Sequence, residues 1–294
     1  MKNNIGISVF YDHIVQANEQ SNISILEIMK LAKQSGIDTF EINIDTLIND
    51  EADISSYLGQ TGLKISCIYG FYEFDKNGDI DSAKRHIDYA AKYGASKILV
   101  IPGFLTENEV HELKSIHYDY ELIAAFLDNN KAVSNMVTML KQMTKYAENK
   151  GVIVTLEDFD AINSPFARAY ELLWFINNVE GLKVTFDCGN FVFSNENVLT
   201  AYEILKDHIV HVHCKDRGEE EHIIQIAGNK AELVNRGLAS VSAGRGYLPI
   251  KEIVEKLLNQ GYCGYLAIEH FDYPVQIQGI KESSKYLHEI IDNE

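Results

Sequence analysis

The residues best suited to chemistry cluster in one short stretch, Ile209-Val210-His211-Val212-His213-Cys214-Lys215-Asp216-Arg217. It is rich in β-branched residues and flanked by segments of helical spacing. Side chains alternate faces along a strand. His211, His213 and Lys215 therefore share one face, and Val210, Val212 and Cys214 the other. An ionisable face backed by an apolar one suits a strand that delivers ligands to a site at its C-terminal end. The alternative is a histidine pair satisfied by buried hydrogen bonds. Three further apolar segments end in an acid: Val152-Ile153-Val154-Thr155-Leu156-Glu157, Val184-Thr185-Phe186-Asp187 and Tyr265-Leu266-Ala267-Ile268-Glu269. By the same alternation Glu157 shares its face with Thr155 and Ile153, Asp187 with Thr185, and Glu269 with Ala267. Carboxylates gathered in one low-dielectric mouth repel and take up protons. A divalent cation removes that conflict. Oxygen donors with one imidazole suit Mn²⁺, Mg²⁺, Co²⁺ or Zn²⁺ without selecting among them. Any one of these acids can instead cap the helix that follows or pair with a lysine. Matched positions at the ends of successive segments favour the cation.

To bring such groups together, the chain must alternate strands and helices. Strand-like segments fall at 5–10, 39–44, 64–69, 97–101, 152–157, 182–187, 209–215 and 265–269. Between and after them lie segments of helical spacing at 23–34, 54–61, 81–93, a long one from 120 or 129 to 149, then 167–177, 197–205, 250–260 and 275–291. Glycines such as Gly36, Gly94, Gly151 and Gly261 stop helices. Longer polar segments occupy 106–118 and 217–245. About eight such repeats predict an α/β fold, a (β/α)8 TIM barrel forming a single domain over 1–294. A doubly wound open sheet would want a glycine-rich turn after its first strand. Here that strand runs into Tyr11-Asp12-His13.

The 294 residues suit one barrel domain, and 46% hydrophobic content suits a full core. A formal charge of −17 argues against a nucleic-acid partner. The four cysteines are not spaced as a metal or redox motif, and a reduced, cytoplasmic location is expected. No apolar run is long enough to span a membrane and no signal peptide is evident, so no membrane partner is expected.

The motifs Val154-Thr155-Leu156-Glu157, Phe186-Asp187-Cys188-Gly189-Asn190, His211-Val212-His213-Cys214-Lys215-Asp216 and Gly244-Arg245-Gly246 resemble the xylose isomerase-like TIM-barrel superfamily. The ending Gly261-Tyr262-Cys263-Gly264-Tyr265 with Glu269 does so too. The nearest likeness is to its sugar phosphate isomerase/epimerase group, and it covers nearly the whole chain. The resemblance implies one divalent metal ion held by Glu157, Asp187, His213 and Glu269. It also implies Glu157 and Glu269 as an acid/base pair that moves a proton next to a carbonyl through an enediolate. His211 then lies deeper, facing the substrate or supporting the metal site. Arg217 matches an arginine of the family that contacts substrate, the alternative being a solvated charge. Where family epimerases often carry a histidine three residues after the metal aspartate, this chain has Asn190. That departure leaves the particular reaction open. A small-molecule sugar or sugar phosphate is the implied partner, and a homodimer or homotetramer the implied assembly.

An inosose-dehydratase-like lyase would use the same site. An endonuclease-IV-like AP endonuclease would need more metal-binding residues and a basic groove. Lys215 is expected to hold an oxyanion or pair with Asp216, and Glu41 to bond a substrate hydroxyl or serve structure. His13, Tyr69 and Phe71 are read as packing residues at the edge of the pocket, and Trp174 as core. His86, His111, His117, His208, His222 and His288 are expected to be solvated, as is the run Glu219-Glu220-Glu221.

Overall fold

The structure is a computed structural model, and residues 5–76, 78–218 and 238–293 are described. In chain order the strands and helices are β1 (Gly6–Phe10), α1 (Tyr11–Gln20), α2 (Ile25–Gln34), β2 (Thr39–Asn43), α3 (Ile44–Asn49), α4 (Glu51–Thr61) and β3 (Lys64–Phe71). Then come α5 (Ile80–Tyr93), β4 (Lys97–Ile101), α6 (Glu107–Ser115), α7 (Tyr120–Asn129), α8 (Lys131–Glu148), β5 (Ile153–Glu157), α9 (Ala169–Asn178), β6 (Lys183–Asp187) and α10 (Val198–Leu205). The last are β7 (Ile209–Gly218), β8 (Ala239–Val241), α11 (Ile250–Asn259), β9 (Tyr265–Glu269) and α12 (Gln276–Asp292). Contacts divide the chain into two compact units, Met1–Ser66 with His211–Glu294, and Cys67–Val210.

In the first unit β2, β1, β9 and β7 lie side by side and parallel, with Phe10 opposite Glu41 and Lys215 opposite Glu269. Parallel strands covered on both faces read as continuous apolar runs, and Ile7, Val9, Val212, Leu266 and Ile268 are fully buried. The opposite face carries small hydroxyls: Ser8 Oγ lies 2.7 Å from Ser66 Oγ. Helix α12 packs on α1, α2 and α11. Gly36 ends the α2 segment with a φ of +87°, and a Cβ there would stand 2.4 Å from His288 Nε2. Glycine therefore serves both the turn and the close approach.

In the second unit β3, β4, β5 and β6 are parallel, with Glu157 opposite Thr185. A hydroxyl ladder again fills one face: Thr185 Oγ1 donates to Thr155 Oγ1 at 2.7 Å, and Thr155 Oγ1 to the Ile98 carbonyl at 2.9 Å. Thr155 and Thr185 are the residues that share a face with Glu157 and Asp187, two positions before each acid.

Several elements differ from the sequence expectation. The polar segment 106–118 contains α6, started by Glu109 Oε2, which accepts from the Thr106 backbone N–H (2.9 Å) and hydroxyl (2.6 Å). Few apolar residues mark this helix, and its capping pair is the readable signal. The expected long helix to 149 is two helices, parted at Asn130, whose Oδ1 accepts from Val133 N at 3.0 Å and starts α8. Strand β7 runs on to Gly218, and its far end pairs antiparallel with β8. Helix α1 follows β1 directly. His86 is not solvated: it is fully buried, with Nδ1 2.9 Å from Tyr72 Oη and Nε2 3.1 Å from the Ile68 carbonyl. Its helix turns that face inward. His222 and the 219–221 acidic run lie outside the described residues.

Candidate active site

In the first unit, β7 presents His211, His213 and Lys215 on one face, as the alternation requires, and all three are buried. Glu41, in the middle of β2, reaches both histidines. His211 Nε2 lies 2.5 Å from Glu41 Oε1, and His213 Nε2 lies 3.3 Å from Oε2. With Glu41 ionised, each Nε2 carries the proton it donates, and in the neutral imidazole the lone pair then lies on Nδ1. Burial pushes the Glu41 carboxyl up, but the two imidazoles outweigh it and hold Glu41 down at about 2. The other ring nitrogen of His213, Nδ1, lies 3.1 Å from Glu269 Oε2. Glu269 Oε1 lies 2.5 Å from Lys215 Nζ. Burial raises the Glu269 carboxyl too, yet Lys215 and then His213 bring it to about 2. Glu41, His211 and His213 each place one potential ligand atom within 4.8 Å of the others.

Lys215 thus pairs with Glu269 and not with Asp216. Asp216 is committed to the backbone. Its Oδ1 accepts from Arg217 N (2.9 Å) and Leu248 N (3.2 Å), and its Oδ2 from Gly244 N and Gly246 N, both at 2.9 Å. A Cβ at Gly246 would lie 2.2 Å from Asp216 Oδ1, so only glycine lets this loop close on the carboxylate. Arg217 is buried and donates Nη1 to the Leu238 carbonyl at 2.6 Å, which excludes a solvated charge.

In the second unit, Glu157 and Asp187 end β5 and β6, and both are buried. Asp187 Oδ1 accepts from Gly189 N at 2.6 Å. Asn190 is buried three residues beyond Asp187. Sequence reasoning passed over Asp158. It is fully buried, and its Oδ1 accepts from Asp187 N at 3.0 Å. Its Oδ2 has no hydrogen-bond partner among the described residues. Burial first, and Asp187 second, push its carboxyl well above the usual range. A doublet of acids at a strand end was the available signal.

Sequence reasoning read His13 as a packing residue and passed over its partner in the first unit, His270. His13, in α1, and His270, just after Glu269, are fully buried and stack with centroids 4.6 Å apart. His13 Nε2 accepts the His270 backbone N–H at 2.9 Å, which fixes the chain where it leaves Glu269. Burial lowers the His270 imidazole to about 4 and depresses His13 well below its usual value. Both rings are therefore neutral near pH 7.

Among the described residues no helix is long and apolar enough to cross a membrane. The chain is 25% identical over 162 residues to an inosose dehydratase of Lacticaseibacillus casei, a match covering 52% of each. It thus spans about half the length of the curated relatives it matches. Among solved structures, it resembles the apo form of a 3-keto-D-glucoside 4-epimerase from E. coli, with 18% identity, a TM-score of 0.67, and 98% and 100% of the two chains covered. It also resembles a xylose isomerase-like TIM barrel protein from Mycobacterium smegmatis in complex with magnesium, with 16% identity, a TM-score of 0.62, and 98% and 97% covered. At these identities the structural likeness speaks to the fold. Residues 29–290 match the xylose isomerase-like TIM barrel as a family description, and since that match takes in most of the chain, the protein belongs to this family.

Proposed function

We propose that this chain is a single barrel domain and a divalent-cation-dependent enzyme that isomerises or epimerises a ketose, sugar phosphate or keto-polyol. The observation that carries the reading is the facing of His213 Nδ1 and Glu269 Oε2 at 3.1 Å, both buried. Two lone-pair atoms so close need a proton or a cation between them. Their spacing is about that of neighbouring ligand atoms around an octahedral ion with bonds near 2.1 Å. The donors are carboxylates and imidazole, which fit Mn²⁺, Mg²⁺, Co²⁺ or Zn²⁺.

Glu157, Asp187, His213 and Glu269 would hold the ion. Glu157, Asp187 and Glu269 each end their strands, the end at which barrel enzymes carry their chemistry, and His213 lies within β7. When bound, the ion supplies a Lewis acid for a substrate carbonyl oxygen. Glu157 and Glu269 are the candidate proton carriers: one removes the proton beside the carbonyl, and the other returns it on the opposite face or at the neighbouring carbon. Lys215 keeps Glu269 ionised and oriented. Glu41 fixes the tautomer and tilt of His213, the usual task of a carboxylate behind a ligating histidine. His211, Arg217 and Asn190 are the candidate groups for substrate hydroxyls.

A second reading, water elimination from a cyclic keto-polyol, is favoured by the inosose dehydratase relative. It needs the same proton abstraction, followed by loss of hydroxide. A ketose and inosose panel in D₂O, with and without chelator, tests both. Solvent deuterium entering an unchanged carbon skeleton supports isomerisation or epimerisation. A new unsaturated product supports elimination. Full turnover by both Glu157→Gln and Glu269→Gln would sink the proton-transfer scheme altogether.

A further inference from the structure

The second unit carries a cleft of about 490 Å³ formed by the segments that follow β3, β4 and β5. That volume suits a small ligand. Phe71 and Phe104 line it. Phe71 is 54% exposed, unusual for a phenylalanine at a strand end in an otherwise buried sheet. Both rings stand against Phe159, at centroid distances of 5.7 and 6.0 Å. Phe159 follows Glu157 by two residues, on the same connection. Asp75 and Asn163 contribute a carboxylate and an amide to the lining.

The walls of this cleft are tied together by main-chain bonds. Phe74 N donates to the Pro102 carbonyl at 2.8 Å, and Leu105 N to the Asn163 carbonyl at 2.9 Å. The Asn135 side chain holds the carbonyls of Asp75 and Lys76, at 3.0 and 3.1 Å. Gly103, at φ +141°, admits Asp75: a Cβ there would lie 2.3 Å from Asp75 Oδ1. These bonds tie together the backbone of the segments that carry the cleft lining.

We propose that this cleft is a subsite for a neutral hexopyranose ring, so that the substrate is a glycoside of the reacting keto-sugar. The inference rests on the keto-sugar reading above. A pyranose presents flat faces of C–H that match phenyl rings such as the exposed Phe71 and the half-buried Phe104, and a rim of hydroxyls that match an amide and a carboxylate. A phosphate is disfavoured. The cationic group lining the cleft, Lys76, is paired with Glu73 at 2.5 Å, and Asp75 adds a further negative charge.

The test uses the full chain and methyl β-D-glucopyranoside, which has no free carbonyl, with glucose 6-phosphate as the charged counterpart. Saturation-transfer NMR should mark the ring C–H protons of the methyl glucoside. Calorimetry should show its affinity falling roughly tenfold in Phe71→Ala and in Phe104→Ala. Glucose 6-phosphate should bind more weakly than the methyl glucoside. Absence of saturation transfer, an affinity unchanged in both variants, or tighter binding of the phosphate would each overturn the proposal. Manganese titration of the same samples separates the two readings. Intact manganese binding with no glucoside contact removes the subsite alone, and the converse removes the cation-dependent reading while leaving the subsite in place.

Discussion

Consider Glu41→Gln, which keeps the shape of a buried side chain but replaces one acceptor oxygen with an amide donor. In the native site both carboxylate oxygens accept, from His211 Nε2 at 2.5 Å and from His213 Nε2 at 3.3 Å. The amide can satisfy only one of these. The shorter bond keeps the oxygen, so the NH₂ group faces His213 Nε2. That nitrogen must then give up its proton, which moves to Nδ1, the atom facing Glu269 Oε2 at 3.1 Å. A proton there competes directly with a cation. Restoring the original tautomer sets two donors against each other in a buried site, at a cost of about 1–3 kcal/mol. This converts to a loss of roughly 5- to 150-fold in cation affinity, the range usual for groups that support ligating histidines.

Titration of the purified protein with Mn²⁺, following the free ion by electron paramagnetic resonance, measures the loss. Nitrogen-15 NMR of the imidazoles reports the tautomer independently. Manganese affinity within twofold of the native value, with His213 still protonated on Nε2, would refute the assignment. The competing arrangement, in which Glu41, His211 and His213 themselves hold the ion, makes the opposite forecast. His211→Asn would then abolish manganese binding, and Glu157→Gln would spare it.

Other variants probe the surroundings. Lys215→Met removes the charge that offsets burial at Glu269, so its carboxyl rises from about 2 and the acid limb of the pH–rate profile should move to higher pH; an unmoved limb would count against Glu269 as a proton carrier. Asp216→Ala leaves four backbone N–H groups without their acceptor, and urea denaturation should show a loss of at least about 3 kcal/mol. Glu196 is raised to about 7 by burial. Its folded form binds the proton more tightly than the unfolded chain does, so the native protein should lose stability from about pH 4.5 to above pH 7 relative to Glu196→Gln. The ceiling is about 3 kcal/mol, reduced by solvent screening at this half-buried side chain; parallel stability curves across that interval would contradict it.

The strand-borne part of the candidate site was legible in the sequence because a period of two is rigid. Once 209–215 is a strand, His211, His213 and Lys215 must share a face, and Glu157, Asp187 and Glu269 declare themselves by ending apolar runs. The partnerships were not legible. Lys215 neighbours Asp216 in sequence, yet their side chains lie on opposite faces of β7, so Asp216 turns to the 244–248 loop and Lys215 to β9. Helix α6 was hidden because its nine residues carry few apolar side chains to show a period. The His13–His270 pair spans 257 positions, a separation that no local pattern encodes.

The same contrast bears on how the site works. Residues fixed by strand alternation are those whose spacing would tolerate little error, the candidate ion ligands and proton carriers. Residues fixed by long-range contact hold them in place: Glu41 across from β7, and His13 against the amide of residue 270. A buried imidazole with two carboxylate neighbours can face either way, and alternation cannot choose between its nitrogens. Glu41 makes that choice by accepting from Nε2, leaving Nδ1 toward Glu269. The orientation of the candidate ligand is therefore a property of the fold as a whole, although the ligand itself is announced by a stretch of seven residues.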